Sequence, residues 1–205
     1  MKKAEDFIEY LKQSGALQPD FEKDVRAQTK VNRSEAVTDS EKFVEQLFKQ
    51  IESRAVRLLA IREHGAKELK TKLISKFPET PELLTQAQES PGLVKSVIEE
   101  VIQHCQTHHW QSDERYIEQA VRSMMEKGKG PINIRQKLQQ TCDNSSLINR
   151  YLDLDVQDWL ELAKAVMLKK YGDLNRPDQP KEQAKRMRFL QSRGFAPEVI
   201  WKVFR

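Results

Sequence analysis

Apolar residues recur along most of the chain at intervals of three and four positions, the period of one helix face. The clearest stripe consists of Tyr116, Ile117, Ala120, Val121 and Met124. A second stripe consists of Phe43, Val44, Leu47, Phe48, Ile51 and Ala55. No segment stands out as alternating between apolar and polar residues, and good helix formers dominate while glycine is scarce, with seven among 205 residues. The pattern predicts an all-α protein.

The helical pattern repeats along the chain. A shift of 65 residues places residues 55–57 (Ala-Val-Arg) on 120–122 (Ala-Val-Arg) and Gly65 on Gly130. Shifts of 43 and 52 residues place the middle of the chain on its C-terminal part, with matching apolar positions. Periods of this length are typical of stacked helical units. We therefore predict three tandem three-helix repeats, each with a long, a medium and a short helix.

Five divisions of the chain follow from this register. They are a mobile arm with a short helix over 1–38, a helix over 39–54 leading into the repeats, and repeats over 55–111, 112–153 and 154–205. An insertion near 78–92, which is rich in proline, lengthens the first repeat. At predicted helix starts, Ser112 and Asp155 supply acceptors for first-turn amides, and Thr38 with Glu41 forms a capping-box pattern.

Composition and charge narrow the class of protein. The hydrophobic fraction of 38% and charged fraction of 32% favour an elongated, solvated shape. No apolar run reaches the eighteen or so residues of a membrane span, and no signal core follows Met1, so we expect a cytoplasmic protein with no membrane partner. Two cysteines, Cys105 and Cys142, fit a reducing compartment. The chain carries a net charge of +4. Basic residues are in excess in 115–140, with six basic and two acidic residues, and in 176–205, with eight basic and three acidic residues.

A glycine-rich stretch, Lys127-Gly128-Lys129-Gly130-Pro131, raises the question of a phosphate-binding loop. Such a loop follows a buried strand and ends in lysine and a hydroxyl residue that holds magnesium. Here a helical stripe precedes the glycines and no hydroxyl follows. Proline at a first helical position opens the next helix. We interpret the stretch as a turn between two helices.

Two further groups of residues have a chemical and a structural interpretation. His104, Cys105, His108 and His109 form two pairs on one helix, but the pairs point about 100° apart, so we predict no metal site. The aromatic residues Trp159, Phe189, Phe195, Trp201 and Phe204 could stack on bases, yet their helical spacing favours core packing. No catalytic motif emerges, and we predict neither an enzyme nor a cofactor.

Three spans carry a family resemblance. They are Arg62 to Leu69 with Lys72-Leu73, Asp113 to Tyr116 through Gly128-Lys129-Gly130-Pro131 to Leu138, and Lys185 to Phe195. With these spans, residues 55–205 resemble the RecX family, regulators of the RecA recombinase. The chain departs from the family pattern in its long segment before residue 55, in the insertion near 78–92, and in Thr141-Cys142-Asp143, where a glycine-hydrophobic pair commonly ends the middle helix.

The resemblance implies three tandem three-helix repeats that form an elongated curved body, and we predict that this chain adds a helical N-terminal extension. It also implies a protein that lodges in the groove of the RecA-DNA filament, inhibits its recombinase, ATPase and coprotease activities, and thereby modulates homologous recombination and the SOS response. We expect the protein to be a monomer. Weak DNA binding would use the basic faces.

Nine basic residues are our candidates for contact with RecA or DNA. They are Arg115, Arg122, Lys127, Lys129, Arg135, Lys137, Arg186, Arg188 and Arg193. Surface charges are more often solvated or ion-paired than functional, and Arg57 and Arg122 recur at equivalent positions, which also fits a structural role. A freestanding helical nucleic-acid-binding module and a helical protein-interaction scaffold are the alternative functions.

Overall fold

The computed structural model describes residues 39–204, and the regular structure within them is entirely α-helical. The helices of this part of the chain are α1 (Asp39–Ile61), α2 (Ala66–Lys76), α3 (Pro81–Ala87), α4 (Leu93–Thr107), α5 (Asp113–Glu126), α6 (Pro131–Gln139), α7 (Ser145–Leu152), α8 (Val156–Tyr171), α9 (Pro180–Arg193) and α10 (Pro197–Val203). The all-α prediction is confirmed. The predicted arm over 1–38, its short helix and the Thr38 cap lie outside the described residues.

The described helices form two compact units. The first comprises residues 39–64 and 69–111, and the second comprises 65–68 and 112–204. Within residues 39–204, none of the helices combines the length and the apolar character that crossing a bilayer requires.

The core of the first unit is built around α1, which packs along α4. Leu47, Ile51, Ala55 and Leu58 are buried at spacings of four, four and three residues, so that they form one face of α1. The boundary that we placed between residues 54 and 55 falls inside this continuous helix. The segment before the first repeat and the first helix of that repeat are therefore one element.

The proline-rich segment near 78–92 contains a helix of its own. Thr80 caps α3 by accepting a hydrogen bond from the Leu83 amide at 3.3 Å, and Pro81 occupies the first helical position. The Glu79 carboxylate accepts hydrogen bonds from the amides of Gly92 and Val94 at the start of α4. These two caps give both helices defined starts.

Helix α4 corrects our expectation of a short third helix in the first repeat. It has 15 residues and is longer than α5, which has 14. The predicted apolar positions Val97, Ile98, Val101 and Ile102 are buried, as expected, but the apolar face extends beyond them in both directions. The longer face gives α1 a partner over more than one additional turn.

The second unit encloses one hydrophobic core formed by α5 to α10. Tyr116, Ile117 and Val121 of the predicted stripe are buried in it. Ser112 caps α5 as predicted, since its hydroxyl accepts a hydrogen bond from the Arg115 amide at 3.3 Å. Asp155 occupies the N-cap position of α8, as predicted. Its side chain makes no capping hydrogen bond, so the prediction that it supplies the acceptor was wrong.

Four of the five aromatic residues assigned to the core pack there, and one does not. Trp159, Phe195 and Phe204 are buried, and Phe189 is partly buried against the same core. Trp201 is 55% exposed, and its assignment to the core was wrong. Helix α10 buries Val199, Ile200, Val203 and Phe204. Because Trp201 follows Ile200 by a 100° rotation away from that face, the ring points outward.

Candidate functional site

The glycine stretch is the turn between α5 and α6. The Gly128 amide donates a hydrogen bond to the Met125 carbonyl oxygen at 2.8 Å, and the Lys129 amide donates to the Met124 carbonyl oxygen at 3.0 Å. These bonds close the last turn of α5, and Pro131 then begins α6. The predicted inter-helix turn is confirmed.

The end of α9 fills the space where a phosphate would lie. The Gly130 amide donates to the Arg193 carbonyl oxygen at 2.8 Å, and the Ile132 amide donates to the Gly194 carbonyl oxygen at 3.1 Å. The Asn133 side-chain amide donates to a third α9 carbonyl, that of Ser192, at 2.9 Å. The first amides of α6 are thus satisfied by backbone oxygens rather than by an anion. We call residues 127–133 with 192–195 the second junction.

Close backbone approach explains both glycines of the second junction. A Cβ atom on Gly130 would lie 2.5 Å from the carbonyl carbon and oxygen of Gly194, a distance that real Cβ contacts do not reach. Gly194 adopts φ +89°, and a Cβ atom there would lie 2.6 Å from the Asn133 backbone nitrogen. No larger residue fits either position without moving backbone atoms.

The second junction brings the two basic segments of the sequence together. The Arg193 guanidinium donates a hydrogen bond to the Lys127 carbonyl oxygen at 3.1 Å and lies over the Phe189 ring, 5.2 Å from its centre. Within residues 39–204, the ammonium groups of Lys127 and Lys129 have no hydrogen-bond or ion-pair partner. Three positively charged side chains, those of Lys127, Lys129 and Arg193, therefore extend from the hydrogen-bonded backbone of the second junction.

A first junction, in which a glycine again lies close to a helix end, joins residues 65–68 to 141–143. The Glu68 amide donates to the Thr141 carbonyl oxygen at 3.2 Å. A Cβ atom on Gly65 would lie 2.3 Å from that same oxygen, so this glycine is also required by close approach. The repeat register that pairs Gly65 with Gly130 thus corresponds to a shared way of packing.

The charges at the first junction are balanced. Lys67 Nζ lies 2.7 Å from Asp143 Oδ1 and 3.3 Å from the Gln139 carbonyl oxygen. The Asp113 carboxylate accepts a hydrogen bond from the Ala66 amide at 2.8 Å. An anion approaching the first junction would therefore meet carboxylates beside the lysine.

Neither cysteine is prepared for nucleophilic chemistry. Burial raises the pKa of the Cys142 thiol to about 12, and the nearby charge of Asp113 adds to the shift. Burial also raises the pKa of Cys105 to about 12, assisted by the charge of Glu52. Both side chains are thiols rather than thiolates near neutral pH, and thiolate is the reactive form.

Arg186, one of the nine candidates, is held inside a network that links the end of α8 to α9. Its guanidinium donates to both carboxylate oxygens of Asp173, at 2.9 and 3.3 Å, and to the Asn175 carbonyl oxygen at 3.3 Å. It also lies over the Tyr171 ring, 4.7 Å from the centre, and its Nε is 3.6 Å from a Glu182 oxygen, too far for a hydrogen bond. The side chain is only 12% exposed.

The electrostatics agree with this arrangement. The hydrogen bond from Arg186 lowers the pKa of Asp173, and the same bond raises the pKa of the guanidinium. The structure therefore gives Arg186 a role in holding the α8–α9 connection.

Three further candidates have at least one contact. Arg122 lies 3.7 Å from Glu118 one helical turn away, with both side chains exposed. Arg135 Nε donates to Asn149 Oδ1 at 3.2 Å. Arg115 is exposed at the start of α5 and takes part in a further interaction.

The last two candidates, Lys137 and Arg188, are exposed. Neither has a side-chain partner in the described part of the chain. The candidates with unpaired charges there are Lys127, Lys129, Lys137 and Arg188.

The histidines form an aromatic cluster in the first unit. The His104 ring lies 4.1 Å from His108, 5.6 Å from Trp110 and 5.9 Å from Phe48, and its Nδ1 is 2.7 Å from a Glu52 oxygen. Among residues 39–204, no three His, Cys, Asp or Glu side chains are grouped so that they could hold a metal ion. The cluster connects α1 to the end of α4.

Comparison with known proteins connects this architecture to one family. Family models described as the second and third three-helix domains of RecX match residues 112–141 and 157–204. The regulatory protein RecX of Serratia proteamaculans is 36% identical over 162 residues, which covers 75% of this chain and 95% of that protein. The chain belongs to the RecX family. The regulatory protein RecX of Vibrio vulnificus is also 36% identical, over 71% of this chain and 85% of its own length.

Solved RecX structures share the fold. The crystal structure of RecX from Lactobacillus salivarius superposes with a TM-score of 0.60 at 20% identity, over 78% of this chain and 95% of that one. A second RecX crystal structure gives a TM-score of 0.59 at 18% identity. The chain is thus a member of a family whose curated relatives are named regulatory proteins, and it shares the fold of solved RecX structures.

The local sequence of this RecX family member does not reveal the distant partners of Arg186 and Asp113. Asp173 follows Gly172, which ends α8 in a left-handed conformation, and this local signal marks the start of a loop. It does not indicate that a residue 13 positions later returns to Asp173. Asp113 directly follows the Ser112 cap of α5, whereas its side chain accepts a hydrogen bond from the amide of Ala66, 47 positions earlier.

Proposed function

We propose that this protein binds the RecA recombinase filament on DNA and inhibits its recombinase, ATPase and coprotease activities. Inhibition of this kind would modulate homologous recombination and the SOS response. Membership in the RecX family supports the proposal, together with the three sequence spans that carry the resemblance.

The observation that carries a residue-level proposal is the unpaired charge of the second junction. Lys127 and Lys129 have no acidic partner in the described part of the chain, and Arg193 is fixed beside them by its bond to the Lys127 carbonyl oxygen. Because the backbone is already ordered, only the side chains of the two lysines lose conformational freedom when they bind. We place the contact surface at these three residues, with Lys137 and Arg188 as additional candidates.

Arg186 is left out of the proposed contact set. Its charge is already satisfied by Asp173, and an acidic partner would have to compete with a two-pronged ion pair. Reversing the charge of Arg186 would disturb the α8–α9 connection, so a loss of function there would report on folding rather than on contact.

The decisive experiment is DNA-dependent ATP hydrolysis by RecA with this protein titrated in at substoichiometric amounts. We expect inhibition well below one copy per RecA, as for action at filament ends or gaps. The absence of inhibition at saturation would refute the proposal.

A pair of variants tests the surface. Lys127→Glu with Lys129→Glu should weaken inhibition by about tenfold or more, because attraction to an acidic partner becomes repulsion. The matched control is Lys169→Glu with Lys170→Glu, which makes the same charge change at two exposed lysines in the last turn of α8. If both variants inhibit equally, the second junction is not the contact surface.

A freestanding nucleic-acid-binding module is the second candidate function, and the same unpaired lysines favour it. Phosphate contacts of this kind give binding that is independent of sequence and falls steeply with salt. The two functions are separated by comparing affinity for bare DNA with affinity for RecA-coated DNA at one salt concentration. Equal affinity would favour the freestanding module, whereas tight binding only with RecA present would favour the filament regulator.

A further inference from the structure

A groove of about 460 Å³ opens on the surface of the first unit, between α1, the end of α3 and α4. Its floor is apolar, formed by Val44, Phe48, Ala87 and Val97. Ala87 and Val97 are buried, while Val44 and Phe48 are only half-buried and leave apolar surface open. We call this feature the acidic groove because of its rim.

The rim carries charge of one sign. Glu41, Glu45, Glu89 and Glu100 line the groove, and among the described residues that line it there is no lysine or arginine. Glu45 lies 2.7 Å from Lys49, but both side chains are more than 60% exposed, so water screens this pair. An apolar floor ringed by carboxylates suits a segment that carries both apolar and basic side chains.

The chain itself contains such a segment, ahead of α1. Residues 25–33 read Val-Arg-Ala-Gln-Thr-Lys-Val-Asn-Arg, with three basic residues and no acidic one. Val25 and Val31 supply apolar side chains between the cations. We infer that residues 25–33 dock in the acidic groove of the same molecule, with the valines on its apolar floor and Arg26, Lys30 and Arg33 beside its carboxylates.

The position of the groove along the chain favours this occupant over others. Ser40 lines the groove, and only seven residue steps separate it from Arg33. An extended chain covers about 3.5 Å per residue, so this tether reaches about 25 Å, enough to turn back along the groove. A short tether also holds the segment at an effective concentration on the order of millimolar, which favours it over a second copy of the chain at ordinary concentrations.

Trypsin cleavage of the full-length protein provides the test, because trypsin cuts after each of the three basic residues in 25–33. The variant Glu89→Gln with Glu100→Gln removes two rim charges without adding a cleavage site. Both carboxylates are exposed and unpaired in the described part of the chain, so the change removes no contact that holds the fold there. Cleavage within 25–33 should accelerate by about threefold to tenfold, the range for two solvent-exposed ion pairs.

The control variant is Glu126→Gln with Asp178→Asn, which removes two exposed carboxylates from the second unit. It should leave the cleavage rate unchanged. Equal rates for the wild type and the groove variant would overturn the inference, as would equal acceleration by the control.

Zero-length carbodiimide cross-linking identifies the occupant directly. In a mixture of isotopically light and heavy full-length chains, a bond from Lys30 to Glu89 or Glu100 within one chain supports the inference. A bond that joins light to heavy chains would overturn it and assign the groove to a second copy. The absence of any bond between 25–33 and the rim would also overturn it and leave the groove to another basic partner.

Discussion

Each of the two glycine junctions of the second unit packs a glycine against a helix end, but the two helix ends differ in kind. At the second junction, Gly194 adopts a left-handed conformation, and the Phe195 amide donates to the Leu190 carbonyl oxygen at 3.2 Å, as in a Schellman motif. At the first junction, α6 ends without a left-handed residue, and the Thr141 hydroxyl donates back to the Leu138 carbonyl oxygen at 3.0 Å. The comparison teaches that the junction depends on where the terminal carbonyl lies, and two kinds of helix cap can place it.

The junctions differ more in charge than in geometry. At the first, Lys67 is matched by Asp143, and Asp113 lies beside them. At the second, Lys127 and Lys129 are unmatched within residues 39–204. The same structural plan therefore yields one junction that is electrostatically balanced and one with free positive charge.

The largest loss of stability is expected at the residue that follows the helix-end carbonyl of each junction, which is Phe195 at the second junction and Cys142 at the first. Phe195 is 1% exposed, and Phe195→Ala should lower the free energy of unfolding by about 3–5 kcal/mol because it leaves a large cavity. Cys142 follows Thr141 in the same way, but Cys142→Ala removes a single sulfur atom and should cost about 1 kcal/mol. Urea unfolding monitored by helicity measures both. Similar losses for the two variants would show that the two ends are not packed as the structure indicates.

The substitution Gly130→Ala should cause the next largest loss of stability. Its Cβ atom would meet backbone atoms of Gly194 and Phe195 at 2.5–2.6 Å, and we expect a loss of about 2–3 kcal/mol. Gly172→Ala is the control, since Gly172 has φ +81° but open space around it, and only the conformational cost of about 1 kcal/mol applies. Thermal unfolding of the two variants distinguishes steric cost from backbone strain, and equal shifts would argue against the close approach at Gly130.

The contribution of the first junction to the free energy of unfolding should depend on pH through the buried Cys142 thiol, which has no counterpart at the second junction. The pKa of Cys142 is raised to about 12 in the folded protein, so its contribution to stability is complete below the unfolded pKa of about 8.5 and declines as the pH rises toward 12. We expect a loss of about 1–2 kcal/mol from this thiol by pH 10. Cys142→Ala should flatten the decline between pH 8 and 10, leaving the part due to Cys105. If the free energy of unfolding declined with pH as steeply in Cys142→Ala as in the wild type, Cys142 would not be a buried thiol with a raised pKa.

The smallest effect tests the cap chemistry. Thr141→Val keeps the shape of the side chain but removes its hydrogen bond to Leu138, with an expected loss of about 0.5–1.5 kcal/mol. Thr141→Ser retains the hydroxyl and serves as the control. If valine is tolerated as well as serine, the hydroxyl is not what holds this helix end.

Much of the helical architecture was predictable because its signals are local. The stripe of Tyr116, Ile117 and Val121 faces the core, and the twin glycines Gly65 and Gly130 both lie in turns between helices. The exposed ring of Trp201 and the length of α4 were not predictable in this way. A helical spacing gives a direction around the helix axis, but the partner helix decides how wide and how long the buried face is.

The candidate surface was predictable only as a set of basic residues. Nine were nominated by charge, and the sequence could not separate Arg186, which is bound to Asp173, from Lys129, which is unpaired in the described residues. The partners that decide this lie on other elements, so their identity depends on packing rather than on neighbours in the chain.

Local sequence patterns were sufficient to predict that this protein is helical, where its turns between helices fall and which family it resembles. Periodicity, capping residues and glycine-proline pairs act within one or two helical turns, and they are therefore readable along the chain. The hydrogen bond from the Gly130 amide to the Arg193 carbonyl oxygen, 63 positions away, is visible only in the folded protein. The same contact places Lys127 and Lys129 beside Arg193. Contacts between residues far apart in the sequence form when helix faces pack together. Burial of the shared apolar core then determines which helix ends lie next to each other.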